Sequence, residues 1–214
     1  MATRVSAWRT SAILIYALLG ACAMPPARST SNDAATAPPA PVAMGALIPI
    51  ALANSGFETS RAGASDRAEG WSYTQHGGQT AYTFTLDRET KRSGAASMRI
   101  QNLQPQVYGS ITQRITAAPL LGRSLRFSVW LRTDAVVAND YGKGATPLLQ
   151  AWAGGSPAVS ASFEVAAIAG TTEWIRREVV IVVPLSAEYI EVGVTLSGSG
   201  TVWADDAVLE YASR

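Results

Sequence analysis

The chain has 214 residues, 48% hydrophobic and 15% charged, and its 17 Lys and Arg against 16 Asp and Glu give a formal net charge of +1. A balance this close to neutral argues against a nucleic-acid partner, because neutralising phosphates needs clustered, surplus cations. The one cysteine, Cys22, excludes an internal disulfide and a cysteine-based zinc site.

The first predicted element is a secretory leader. Residues 1–10 carry Arg4 and Arg9 and no acid, and Ser11 to Leu19 is apolar. That run falls short of the roughly 20 residues needed to cross a bilayer. Leu19-Gly20-Ala21-Cys22 resembles the bacterial lipobox. The resemblance implies removal of residues 1–21 and a diacylglycerol on the Cys22 thiol, with more than one acyl chain for stable anchoring. An ordinary signal peptide with an unmodified cysteine is the other reading. By the same resemblance, Ala23 after the cysteine, where an Asp would imply inner-membrane retention, points to the outer membrane. Residues 22–45 read as a disordered tether. Pro25, Pro26, Pro38, Pro39 and Pro41 deny them helix or central strand, and as a coil they reach on the order of 25 Å.

From Ala46 to Arg214 the patterns are those of strands, one domain's worth of chain. Ile111, Gln113 and Ile115 alternate with Ser110, Thr112 and Arg114. Leu125, Phe127, Val129 and Leu131 alternate with Arg126, Ser128, Trp130 and Arg132. Trp174 to Val183 is rich in β-branched residues and stops at Pro184. Ile190, Val192, Val194 and Leu196 alternate with Tyr189, Glu191, Gly193 and Thr195. A period of two places one face in a core and leaves the other wetter. Gly-rich breaks at 54–56, 76–78, 93–94, 154–155 and 197–200 separate the runs. Many short strands between turns predict an all-β, two-sheet antiparallel sandwich over residues 46–214.

Asn54-Ser-Gly-Phe-Glu58, Gly70-Trp71, Asp87, Ser93-Gly94-Ala-Ala-Ser97, Gln113-Arg-Ile115, Trp130-Leu-Arg132, Gly170-Thr-Thr-Glu-Trp174 and Gly200-Thr-Val-Trp-Ala-Asp-Asp206 follow in that order. Together they resemble the galactose-binding-like jelly roll of carbohydrate-binding modules of families four and nine. The resemblance implies a structural calcium between the first and last strands, with Glu58, Asp205 and a backbone carbonyl near Arg92 as ligands. Several hard oxygens at one point are what calcium needs.

Sugar sites set flat aromatic rings beside amides, carboxylates or guanidinium groups. Strand parity selects Trp130 and Arg132 on one run and Gln150 and Trp152 on another, with Tyr108 at a strand start and Tyr141 in a Gly-rich loop. If they share one concave sheet they form a cleft. Otherwise Trp71, Trp174 and Trp203 are core and the remaining aromatics cover a second apolar layer. For catalysis, His76 is the sole histidine and no Gly-x-Ser-x-Gly elbow accompanies it. Asp205 and Asp206, adjacent on a strand, are expected on opposite faces. No Gly-x-x-x-x-Gly-Lys-Ser/Thr loop is present. The expected role is a non-catalytic carbohydrate-binding module anchored in the envelope. The alternatives are an interaction sandwich in an envelope protein assembly and, third, a glycan hydrolase.

Overall fold

The computed structural model describes residues 46–161 and 166–213; the expected leader, Cys22 and the expected tether lie outside the described residues. The strands are β1 (Leu47–Ile50), β2 (Ser60–Arg61), β3 (Ala64–Ala68), β4 (Ser72–Gln75), β5 (Tyr82–Asp87), β6 (Ser97–Asn102) and β7 (Gly109–Thr116). They continue as β8 (Ser124–Val137), β9 (Ala145–Ala153), β10 (Ser156–Ser160), β11 (Gly170–Val182), β12 (Tyr189–Leu196) and β13 (Ser199–Ala212). One sheet runs β11-β8-β13-β6-β5, with β1 on the end of β13; the other runs β10-β9-β12-β7-β4. Every pairing is antiparallel. This is the two-sheet antiparallel sandwich the alternation predicts, the architecture that the jelly-roll resemblance also implies.

The core lies between the inner faces. Leu125, Phe127, Val129 and Leu131 of β8 are wholly buried, as are Ile190, Val192 and Leu196 of β12. Each such side chain contributes about 1.5–3 kcal/mol by leaving water. The Asn54–Glu58 turn closes one end. Asn54 adopts φ 48° and Phe57 φ 59°. The Asn54 side chain accepts the Thr59 N–H and donates to the Thr59 and Glu69 carbonyls, while the Asn54 backbone carbonyl accepts the Trp71 indole N–H at 3.1 Å. Phe57 and Trp71 then pack with ring centres 4.8 Å apart in the core.

Two expectations are corrected. Trp174 and Trp203 are only partly buried, leaving Trp71 as the core tryptophan of the three. Asp205 and Asp206 do not face apart. The β13 register shifts between Asp205 and Val208, and Asp206 sits at φ 49°. This bulge breaks the two-residue period and turns both carboxylates toward the loop at residues 92–93.

Trp203 instead donates its indole N–H to Asp87 at 2.8 Å. The Asp87 carboxyl also accepts the Glu89 and Thr90 N–H groups, and Arg99 lies 3.9 Å away. Burial alone raises the Asp87 pKa, but the Trp203, Thr90 and Glu89 hydrogen bonds and the Arg99 charge outweigh it and hold the group below its ordinary value. A carboxyl with a depressed folded-state pKa contributes stability above its unfolded pKa and loses it as pH falls through the folded one. Asp87→Asn is therefore expected to flatten the fall in stability below pH 3.8, read from urea midpoints across an acid series. Parallel curves for the two proteins would refute this role.

Candidate functional site

The outer face of the β10-β9-β12-β7-β4 sheet carries a groove of about 360 Å³. Register explains its lining. Thr74, Ser110, Thr195 and Thr146 stand side by side across four strands. In the next row Thr112 pairs with Gly193 and Gly193 with Leu148; in the third, Arg114 pairs with Glu191 and Glu191 with Gln150. The last row places Tyr189 beside Trp152 and Trp152 beside Pro157. Tyr108, Tyr141, Lys143 and Ser197 wall the end nearest the threonine row. The side chains that alternate away from the core thus converge as a floor of hydroxyls with one aromatic end row and two tyrosines opposite.

Glu191 is 8% exposed and accepts the Arg114 Nε–H at 3.0 Å. The Arg114 guanidinium lies 4.6 Å from the Tyr189 ring centre, and Tyr189 stacks on Trp152 at 5.7 Å with planes 13° apart. Arginine, tyrosine and tryptophan therefore brace one another along the sheet, so Trp152 has one ring face engaged by Tyr189. Its indole N–H is buried without a hydrogen-bond partner among the described residues. Tyr141, 76% exposed, and Tyr108, 37% exposed, carry the open ring surfaces. Ser110 and Thr195 share a 2.8 Å hydrogen bond, and Gln150 donates to Ser160 at 3.1 Å, leaving its carbonyl oxygen as an acceptor. Among the described residues, Glu191 is the one carboxylate lining the groove.

Of the residues selected from the sequence, Tyr108, Tyr141, Gln150 and Trp152 line this one groove. Trp130 and Arg132 do not join them. Both project from β8, in the other sheet, where Arg92 lies 3.9 Å over the Trp130 ring and Arg132 reaches Glu173 at 3.6 Å and Trp203 at 5.8 Å. Parity within a strand chooses a face; it does not choose the sheet. Glu191, Thr195, Ser110, Thr112 and Thr146 were missed as site residues. Their signal is the polar set alternating with the core on β7, β9 and β12. His76 sits beside Tyr108, ring centres 5.8 Å apart.

The residues expected around calcium also converge, as a hydrogen-bonded clamp. Asp205 is wholly buried. Its Oδ2 accepts the Arg92 and Ser93 N–H groups at 2.9 and 3.1 Å, and its Oδ1 accepts the Asp206 N–H at 2.8 Å. Glu58 Oε2 accepts the Ala95 N–H at 2.6 Å. A side chain at Gly94 would overlap the Glu58 carboxylate. Asp206 takes the Arg92 guanidinium and the Ser93 hydroxyl. Calcium takes about six to eight oxygens. These oxygens face N–H donors, and Arg92 enters through its N–H and its own positive charge. Among the described residues no three acids, histidines or cysteines are grouped to hold a metal ion. A calcium ion at this point would have to share or displace the N–H donors that Asp205 and Glu58 accept. Burial pushes the Asp205 carboxyl above its ordinary value, outweighing the Ser93 and Arg92 hydrogen bonds.

No family model matches the chain. An uncharacterised HTH-type transcriptional regulator of Bacillus subtilis (strain 168), YbfP, is 29% identical over 137 residues, which is 60% of this chain and 43% of that protein. The chain thus spans less than half of that relative. Among solved structures, a Stig cyclase of Fischerella sp. TAU aligns with a TM-score of 0.55 and 12% identity over 78% of this chain and 98% of the cyclase. The CBM22-1 xylan-binding domain of Paenibacillus barcinonensis Xyn10C aligns with a TM-score of 0.51 and 12% identity over 80% of this chain and 97% of that domain. The enzymatically active domain of tailspike protein 4 of bacteriophage CBA120 gives 0.52 and 14%, covering 74% of this chain and 21% of the tailspike. One fold hosts many functions, and these three proteins illustrate it. What the likeness establishes is the architecture, an antiparallel β-sandwich.

Proposed function

We propose that this protein is a lipid-anchored envelope module that binds carbohydrate in the groove on the outer face of the β10-β9-β12-β7-β4 sheet. The observation that carries this reading is the lining: exposed Tyr108 and Tyr141 rings stand over a floor of serine and threonine hydroxyls, with Gln150 and the buried Glu191 at hand. Aromatic faces suit the apolar faces of pyranose rings, and the hydroxyl, amide and carboxylate groups suit their hydroxyls. The likeness in fold to a xylan-binding domain supports the same reading. The Cys22 anchor and an outer-membrane address rest on the lipobox resemblance, and an intact mass equal to that of the unmodified polypeptide would refute the anchor.

Isothermal titration of the full chain in detergent against a panel of soluble polysaccharides tests the groove. Losing a hydrogen bond to a charged group costs about 1.5–3 kcal/mol, so Glu191→Gln is expected to weaken binding by about 10- to 100-fold. Tyr108→Ala is expected to fall in the same range. Trp130→Ala, on the opposite sheet, is expected to leave affinity unchanged. Loss in Trp130→Ala alone would move the site to the other sheet. No binding to any glycan would favour an envelope-interaction role instead.

A further inference from the structure

A second, larger groove of about 660 Å³ lies at the loop end of the sandwich, between residues 102–107, residues 137–141 and the β12–β13 turn. It shares Tyr141 with the groove on the sheet. Leu103, Val137 and Tyr141 are 58%, 63% and 76% exposed along it, an unusual concentration of open apolar surface for one end of a small sandwich. Its walls are tied together. Asn139 donates to the carbonyls of Gln106 and Val107 at 3.2 and 2.9 Å and accepts the Tyr141 N–H at 3.0 Å. Gln104 and Gln106 donate to the Thr80 and Gly77 carbonyls, and the Tyr82 hydroxyl donates to Gly198 at 3.2 Å. A concavity held this way is available without an ordering cost to its ligand.

We propose that this loop-end groove is a second glycan subsite, continuous with the first across Tyr141, so that the ligand is a neutral polysaccharide segment long enough to lie in both. The inference rests on the carbohydrate reading of the sheet groove. Length follows from geometry. The six residue steps from Thr146 to Trp152 span about 20 Å of sheet, and the loop-end groove extends the path beyond Tyr141. Neutrality follows from charge. Among the described residues, Asp140 is the one acidic or basic side chain lining the loop-end groove, and Glu191, paired with Arg114, is the one carboxylate lining the other. A uronate or phosphate polymer would meet Asp140 in the loop-end groove with no lining cation among the described residues there, while in the sheet groove Lys143 is the lining cation and Arg114 is engaged by Glu191. Neutral rings meet Leu103, Val137 and Tyr141 through their apolar faces and Asp140 and Ser199 through their hydroxyls.

The experiment is titration of the full chain with a neutral β-linked oligosaccharide series, disaccharide to octasaccharide, cut from a polysaccharide that binds. Polygalacturonate serves as the anionic comparison. Affinity is expected to climb about tenfold or more between the shortest and longest members. The double variant Leu103→Ala with Val137→Ala is expected to keep the affinity for short members and lose the climb. Tyr141→Ala is expected to weaken every length. Matching thermal melts for the variants exclude misfolding, since all three side chains are exposed. A flat length dependence in the native chain, or a climb that survives in the double variant, overturns the second subsite while leaving the sheet groove standing. Polygalacturonate binding as tightly as the neutral polymer overturns the ligand class. No binding at any length overturns the sheet groove, and the second subsite with it.

Discussion

Asp205→Ala is expected to cost this protein about 3–5 kcal/mol of stability. The side chain is wholly buried and accepts three backbone N–H groups, from Arg92, Ser93 and Asp206. Truncation leaves those donors without acceptors, each costing about 1–3 kcal/mol unless water reaches it. It also releases the loop that Glu58 and Arg92 hold from either side. At about 2–4 °C per kcal/mol for a domain of this size, the melting temperature is expected to drop by roughly 10 °C. Asp205→Asn retains one carbonyl acceptor and is expected to fall between. A chelator added to the native protein is expected to leave its melting temperature unmoved, because N–H groups already engage these oxygens. A melting point lowered by chelator and restored by calcium would replace the clamp with a metal site. The pH sign is opposite to that of Asp87. Burial raises the Asp205 pKa, so its ionisation costs stability as pH rises above 3.8 through the folded value. Asp205→Asn removes that slope.

The strands were legible where burial is one-sided. On β8 and β12 the apolar residues alternate because one face meets the core, and the expected apolar set on each is buried, all but Val194 of it wholly. Three kinds of information were not carried by that pattern. Sheet membership depends on which distant strand pairs with which, so Trp130 and Trp152 share an outward parity yet stand on opposite faces of the molecule. Bulges break the period, and the one at Asp205–Val208 joins two carboxylates that alternation separates. Finally, the groove floor is made of serines and threonines, residues with no distinctive spacing, which become a site only when β4, β7, β12 and β9 lie side by side in register.

Gly193→Ala tests fold and site together. Gly193 is the bare centre of the groove floor, between Thr112 of β7 and Leu148 of β9. A Cβ there would overlap the Ile111 carbonyl oxygen and lie 2.9 Å from the Thr112 Cα. Both obstacles are backbone of the neighbouring strand, so no side-chain rotation relieves them, and β12 must move away from β7. Overpacking of this kind costs about 1–3 kcal/mol, and more where backbone must shift. The same gap is crossed by the Ser110–Thr195 hydrogen bond and the Arg114–Glu191 pair. Widening it loosens both and withdraws Glu191 from the position that the pair holds. Gly193→Ala is therefore expected to lower the melting temperature by several degrees and to weaken glycan binding by at least about tenfold in the protein that remains folded. Tyr108→Ala, which removes a side chain at the groove wall, is expected to weaken binding with a much smaller change in melting temperature. A Gly193→Ala protein with native melting and native affinity would show that the spacing of β7 and β12 does not set the site. Coupled losses, absent from Tyr108→Ala, would show that close strand approach at a single glycine holds the hydroxyl floor and the buried carboxylate in one geometry.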